Sequence, residues 1–170
     1  MPQAILVRQA KEGSSLAFGE LYQLYHKRLY AYACICLRSG ALAEEAVQDA
    51  VLIAWRQLAA LRNEASFEKW LFKILANRCR RVGLAESRII PLGDTPIPDT
   101  AAPDTLTLSQ ETRDALDSLP YDEREIVLLC VLTGLSGKEA AAALGMNHGT
   151  LRSKRSRALA KIRKQLTIDS

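Results

Sequence analysis

From Phe18 to Cys36 the apolar residues Phe18, Leu21, Tyr22, Tyr25, Leu29, Tyr32, Ala33 and Cys36 recur at intervals of 3, 1, 3, 4, 3, 1 and 3. That is the rhythm of one face of an α-helix. Ser14 or Ser15 is placed to start it and Gly40 to stop it. A second helix carries Leu42, Ala46, Val47, Ala50, Val51, Ala54, Trp55 and Leu58 on one face and Glu45, Gln48, Asp49, Leu52 and Arg56 on the other. Leu52 is an apolar residue on an otherwise polar stripe, which favours a contact surface over a plainly solvated one. In a third helix, with Ser66 as its expected N-cap, Phe67, Trp70, Leu71, Ile74, Leu75 and Val82 form the apolar face. Lys69, Lys73, Asn77, Arg80 and Arg81 gather on the opposite stripe, and Gly83 is the expected stop.

The second half of the chain is punctuated by capping patterns. Thr107 with Gln110, Asp122 with Glu125 and Ser136 with Glu139 each read as a helix start with a capping box. Pro120, Gly134 and Gly145 read as stops, and Asn147 opens a last helix from His148 to about Leu166. No stretch alternates at period two, so the expected fold is all-α.

Charge and proline usage divide the chain. Residues 1–88 hold 13 Lys/Arg against 8 Asp/Glu, and residues 109–170 hold 10 against 8. Residues 89–108 hold three acids, no base, and four of the six prolines. Proline fixes φ and lacks an N–H, so no helix crosses that stretch and it reads as an extended linker. The predicted organisation is two small helical domains, residues 1–86 and 109–170, joined by a Pro-rich acidic linker at 87–108. With 48% hydrophobic and 25% charged residues the composition is that of a globular protein. No apolar run reaches the ~18 residues of a membrane span. Residues 1–11 lack a signal-peptide core, so the expectation is a cytoplasmic protein without membrane insertion of its own.

The last two helices have the layout of a helix-turn-helix. The run Ala140–Ala143 keeps the first helix thin, so the second crosses it closely. Between His148 and Leu166 the second helix carries Arg152, Lys154, Arg155, Arg157, Lys161, Arg163 and Lys164 and no acid. Such a helix neutralises DNA phosphates with release of counterions, and arginines on its first turns pair bidentately with guanine in the major groove.

Taken together, these segments resemble a known family. "GLSGKEAAAALGMNHGTLRSKRSRALAKIRK", Gly134 to Lys164, is similar to region four of bacterial sigma factors. "FGELYQLYHKRLYAYA", "AEEAVQDAVLIAW" and "SFEKWLFKILANRCRR" are similar to region two. Their order and spacing, with no domain between, are those of the small extracytoplasmic-function (ECF) class.

The resemblance implies a transcription initiation factor, not an enzyme, with core RNA polymerase and promoter DNA as partners. It implies that the helix bearing Ala43, Glu44, Val47, Gln48, Asp49, Ala54 and Trp55 docks on polymerase, which fits the outward stripe of Glu45, Gln48, Asp49 and Leu52. Val47, Ala54 and Trp55 are expected in the core. Arg62, Asn63 and Glu64 fall where the family captures a flipped base of the −10 element, and Lys69, Lys73, Asn77, Arg80 and Arg81 where it holds the strand. Phe67 and Trp70 fit base stacking or, at helical spacing, the core. The −35 element falls to Arg152, Ser153, Ser156 and Arg157, with Thr150, Lys154 and Arg155 near phosphates and His148 either there or merely at the surface. Asp94, Asp99 and Asp104 of the linker would imitate phosphates in the RNA path of polymerase. Relatives are commonly held inactive by an anti-sigma factor, here expected to insert between the two domains.

A stand-alone helix-turn-helix regulator with an N-terminal sensing or dimerisation domain is the alternative from another class. An enzyme finds no support: there is no phosphate loop and no nucleophile motif. Cys34 and Cys36, two apart, diverge on a helix, and Cys79 and Cys130 lie on separate helices. No metal or cofactor is implied; buried small side chains are the expected role, with redox sensing the alternative.

Overall fold

The computed structural model describes residues 3–89 and 109–169. The predicted linker falls almost wholly outside them. Among the described residues there are eight α-helices: α1 (Gln3–Lys11), α2 (Ser15–Leu37), α3 (Gly40–Gln57), α4 (Phe67–Ile89), α5 (Gln110–Asp117), α6 (Tyr121–Thr133), α7 (Gly137–Leu144) and α8 (His148–Asp169). Single 3₁₀ turns at Leu58–Ala60 and Glu64–Ser66 connect α3 to α4. No strand occurs among the described residues.

Local chemistry sets most boundaries. The Ser14 hydroxyl accepts the Ala17 N–H at 3.1 Å to start α2, and Ser39 accepts the Leu42 N–H at 3.2 Å to start α3. Each satisfies one of the first N–H groups, which have no partner inside the helix. The Ser136–Glu139 capping box is formed in both directions, at 3.1 Å each. Asn147 Oδ1 accepts the Gly149 N–H at 2.7 Å.

Three expectations are corrected. Ser66 does not cap α4; Asn63 Oδ1 accepts the Ala65 N–H and caps the 3₁₀ turn before it. The expected cap at Thr107 lies outside the described residues; within them, Ser109 caps α5. Glu125 reaches no cap of α6, because its carboxylate points into the protein and meets Arg80. Gly83 does not end α4, which continues to Ile89. The Gly83 position is tightly occupied from outside: a Cβ there would sit 2.7 Å from the ring of Tyr121.

Helices α2, α3 and α4 pack into one bundle with α1 laid across α2, and α5–α7 pack around α8. The two groups share one hydrophobic cluster, because α6 lies on α2 and α4 and α7 lies on α4. Tyr32 and Phe72 meet edge-on at its centre, 5.9 Å between centroids. Val47 and Ala54 are buried as expected. Trp55 is not: it is 37% exposed and rests on Phe18, 5.0 Å between centroids. Phe67 is buried between Tyr25 and Trp70, which places it in the core. Cys34, Cys36 and Cys79 are buried, with Cys130 half-buried, and all four are free thiols. Burial pushes Cys36 up to about 12.

Candidate nucleic-acid and polymerase interface

The outward face of α3 exposes Glu45, Gln48 and Leu52, the last at 54%. Gln48 receives local support, its Nε2 reaching Glu44 Oε1 at 3.4 Å. Asp49 belongs to this face only in part: its carboxylate accepts a hydrogen bond from Arg78 of α4 at 2.7 Å. The face is therefore apolar at Leu52, acidic at Glu45 and braced from behind through Asp49.

The loop before α4 divides its three candidates. Arg62 is exposed. Asn63 spends its side-chain oxygen on the Ala65 N–H at 3.0 Å. Glu64 stands half-buried, 4.0 Å from Lys11. On α4 itself Lys69, Lys73, Asn77, Arg80 and Arg81 do form one stripe, but the C-terminal helices meet it. Lys69 and Lys73 lie 3.8 and 3.9 Å from the carboxylate of Glu139 at the start of α7. Arg80 is ion-paired with Glu125 of α6. Exposed pairs such as those of Glu139 each contribute less than about 1 kcal/mol. The Arg80 pair differs, since Glu125 is 1% exposed and its Oε2 has no hydrogen-bond partner. Burial pushes the Glu125 carboxyl up to about 7, against the opposing pull of Arg80.

Helix α8 presents a different picture. Thr150, Arg152, Ser153, Ser156 and Arg157 are exposed, while Leu151 and Ala158 are buried against the rest of the domain. Among the described residues no ion pair involves Arg152 or Arg157. Lys154 and Lys161 are tied down: Lys154 donates to Asp122 at 2.6 Å and Lys161 to Glu123 at 2.9 Å. These two acids at the start of α6 clamp α8 in place, and their neutralisation leaves the arginines as the free charges of its first turns. Arg155 is half-buried, and His148 packs over Gly137, where a Cβ would sit 2.8 Å from its Nε2. His148 thus fastens α8 to α7.

Sequence reasoning missed the groups that join the halves: Gly83, Tyr121, Arg124 and Glu125. Arg124 is 3% exposed, and its guanidinium donates to the carbonyls of Cys36 and Leu119. A charged cluster such as Tyr121-Asp122-Glu123-Arg124-Glu125 on an otherwise apolar helix is the only trace of this in the sequence. The apolar side of the C-terminal helices, expected to be open to an inserted binder, is instead covered by α2 and α4.

Comparison with known proteins agrees with the geometry. Residues 21–87 match the family Sigma-70 region 2, and residues 109–162 match Sigma-70, region 4. The chain is 33% identical over 158 residues to the ECF RNA polymerase sigma factor SigM of Mycobacterium tuberculosis, covering 91% of this chain and 79% of that one. It is 29% identical over 166 residues to the ECF RNA polymerase sigma-E factor of Escherichia coli K12, covering 88% and 86%. Among solved structures it resembles CnrH in complex with the cytosolic domain of CnrY, with TM-score 0.65, 27% identity and 99% of both chains covered. It also resembles the sigma factor RpoE in complex with the anti-sigma factor NepR from Bartonella quintana, with TM-score 0.66, 27% identity, and 90% of this chain and 98% of that one covered. A capped helix-turn-helix with free arginines on its second helix, a cationic helical track and both regions matched in order lead to one conclusion: the chain belongs to the ECF family of RNA polymerase sigma factors.

Proposed function

We propose that this sigma factor, which directs promoter-specific transcription, divides the work among three surfaces. The α3 face of Glu45, Gln48 and Leu52, with Asp49 at its edge, binds core RNA polymerase. The loop Arg62–Glu64 and the α4 stripe capture and hold the −10 strand as it melts. Arg152, Ser153, Ser156 and Arg157 of α8 read the −35 element, with Thr150 and the clamped Lys154 beside the phosphate backbone. The observation that carries this reading is the exposure of those four α8 residues, two of them unpaired arginines, on the second helix of a capped helix-turn-helix.

The protein works in the cytoplasm without inserting into a membrane, and an anti-sigma factor holds it inactive between signals. Support for an inhibitor comes from the two solved relatives, each a complex with another protein, one of which is an anti-sigma factor. Because α2 and α4 already cover the apolar side of the C-terminal helices, the inhibitor binds the outside of the closed chain. The domain roles follow: residues 1–86 for polymerase and −10 binding, 109–170 for −35 binding. The test is reconstitution. The purified chain with core polymerase should initiate at a discrete set of genomic promoters and protect both elements from nuclease. Transcription start sites indistinguishable from those of core polymerase alone would sink the reading.

A further inference from the structure

Besides the shared hydrophobic cluster and the Arg38–Asp117 ion pair at 3.6 Å, four contacts hold the C-terminal helices against the N-terminal bundle. The Tyr121 ring fills the space left by the missing side chain of Gly83. The Arg124 guanidinium donates to the Cys36 carbonyl at 2.8 Å through Nη2 and 3.3 Å through Nε. Glu125 meets Arg80, and Glu139 stands against Lys69 and Lys73. The last two engage three of the four cations on the α4 stripe. Arg81 is the fourth, and it lines a groove whose other wall is Ala142 and Ala143 of α7.

A carboxylate and a phosphodiester make the same demand on a lysine or arginine: one negative charge and oxygen acceptors. A cation already neutralised within the protein releases no counterion when DNA arrives, so it contributes little to binding. Helix α7 also walls the groove along Lys73, Asn77 and Arg81, beside which a strand following the cations would pass. We infer that the closed arrangement is autoinhibitory: Glu125 and Glu139 occupy the strand-binding track of α4 as internal phosphate mimics, and the C-terminal helices must leave before the −10 strand can enter. This inference rests on the reading of the α4 stripe as a strand-binding track.

The lock is built to open. Glu125 is buried with one carboxylate oxygen unpartnered, and burying a charge without satisfying all its oxygens offsets much of what the ion pair gains. Arg124 is buried with carbonyls rather than a carboxylate around its guanidinium.

The variant Gly83→Ala tests the inference without touching a charge or a track residue. Alanine is a better helix former than glycine, so α4 is strengthened, while its Cβ forces Tyr121 away. Gly83→Leu repeats the wedge with a larger side chain. The measurements are small-angle X-ray scattering of the full chain and binding of a fluorescein-labelled single-stranded oligonucleotide of mixed sequence across a salt series. The expected result is an expanded particle that binds about tenfold more tightly, the gain when a state populated one part in ten becomes dominant. The salt dependence should steepen by about 2 in log–log slope as three cations are freed, at ~0.7 per phosphate contact on a single strand. Expansion with unchanged affinity and slope, while Lys73→Ala on the same background still weakens binding, would overturn the lock and leave the track reading standing. If Lys73→Ala has no effect on the expanded variant, the track reading fails and the lock with it. Neither wedge expanding the particle would also overturn the inference, since the units would not be held by this contact.

Discussion

Arg124 of α6 caps a helix that is not its own. Its guanidinium donates to the carbonyl of Cys36, in the last turn of α2, 88 residues away in the chain. The last carbonyls of a helix lack partners within it. The chain turns away from α2 at Arg38, which adopts the left-handed conformation at φ 54° and returns its N–H to Cys34 at 2.8 Å. The Cys36 carbonyl is left for Arg124.

Arg124→Ala should therefore destabilise the closed chain by about 1.5–3 kcal/mol, the range for hydrogen bonds from a charged donor. Arg124→Lys should recover little, because one ammonium cannot reproduce the fork that reaches both Cys36 and Leu119. Urea unfolding of both variants checks this, and full rescue by lysine would show that charge alone matters.

Glu125 makes the closed state sensitive to pH. It faces Arg80 and Cys79 of α4, Tyr32 and Cys36 of α2, Tyr121 and Asp122 of its own helix, and Lys154 of α8. Its carboxyl is pushed from the ordinary 4.5 up to about 7, first by burial. A group that holds its proton more tightly when closed stabilises the closed state at low pH. That contribution is present below pH 4.5, fades as pH rises towards 7 and is level above it. Relative to Glu125→Gln, whose side chain does not titrate, the wild type should lose up to about 3 kcal/mol across that window. Thermal melts of the pair from pH 4.5 to 8 give the answer, and parallel curves would remove Glu125 as the cause.

On α3, Glu45→Arg and Leu52→Ala should each weaken association with core polymerase while shifting stability by no more than about 0.5 kcal/mol, as exposed substitutions usually do. Asp49→Arg is a poorer probe, because it sets a second guanidinium against Arg78. Equilibrium binding to core polymerase, paired with thermal melts, distinguishes a lost contact from a loosened fold. Wild-type affinity in both variants would remove this face from the polymerase interface.

On α8, Arg152→Ala should cost about 1–3 kcal/mol on a cognate promoter and relax preference at one or two bases. Lys164→Ala should weaken all sequences alike and lower the salt slope. Lys161→Ala is expected to destabilise the domain as well, since it strands Glu123, 8% exposed on its side chain. A promoter-variant panel reads all three, and matching profiles for Arg152→Ala and Lys164→Ala would refute the assignment of base reading to Arg152.

What the sequence determined by itself was local and periodic. Helical periodicity, Ser14, Ser136 and Asn147 as caps, Gly134 and Gly145 as stops, and the basic face of α8 all depend on residues within a few positions of one another. The family pattern is of the same kind, since it is carried by short segments in order. Tertiary structure decided what depends on residues far apart. Gly83 reads as a helix stop, yet it is a seat for Tyr121, because a glycine tolerated in a helix and one that ends it look alike until the neighbour arrives. Glu125 reads as a cap residue at the right spacing, yet Arg80, 45 positions away, draws its carboxylate inward. Lys69, Lys73 and Arg80 read as a free cationic stripe, and only the docking of α6 and α7 supplies them with carboxylates. A charge pattern states which groups seek partners; which partner each one finds is a matter of how the helices pack.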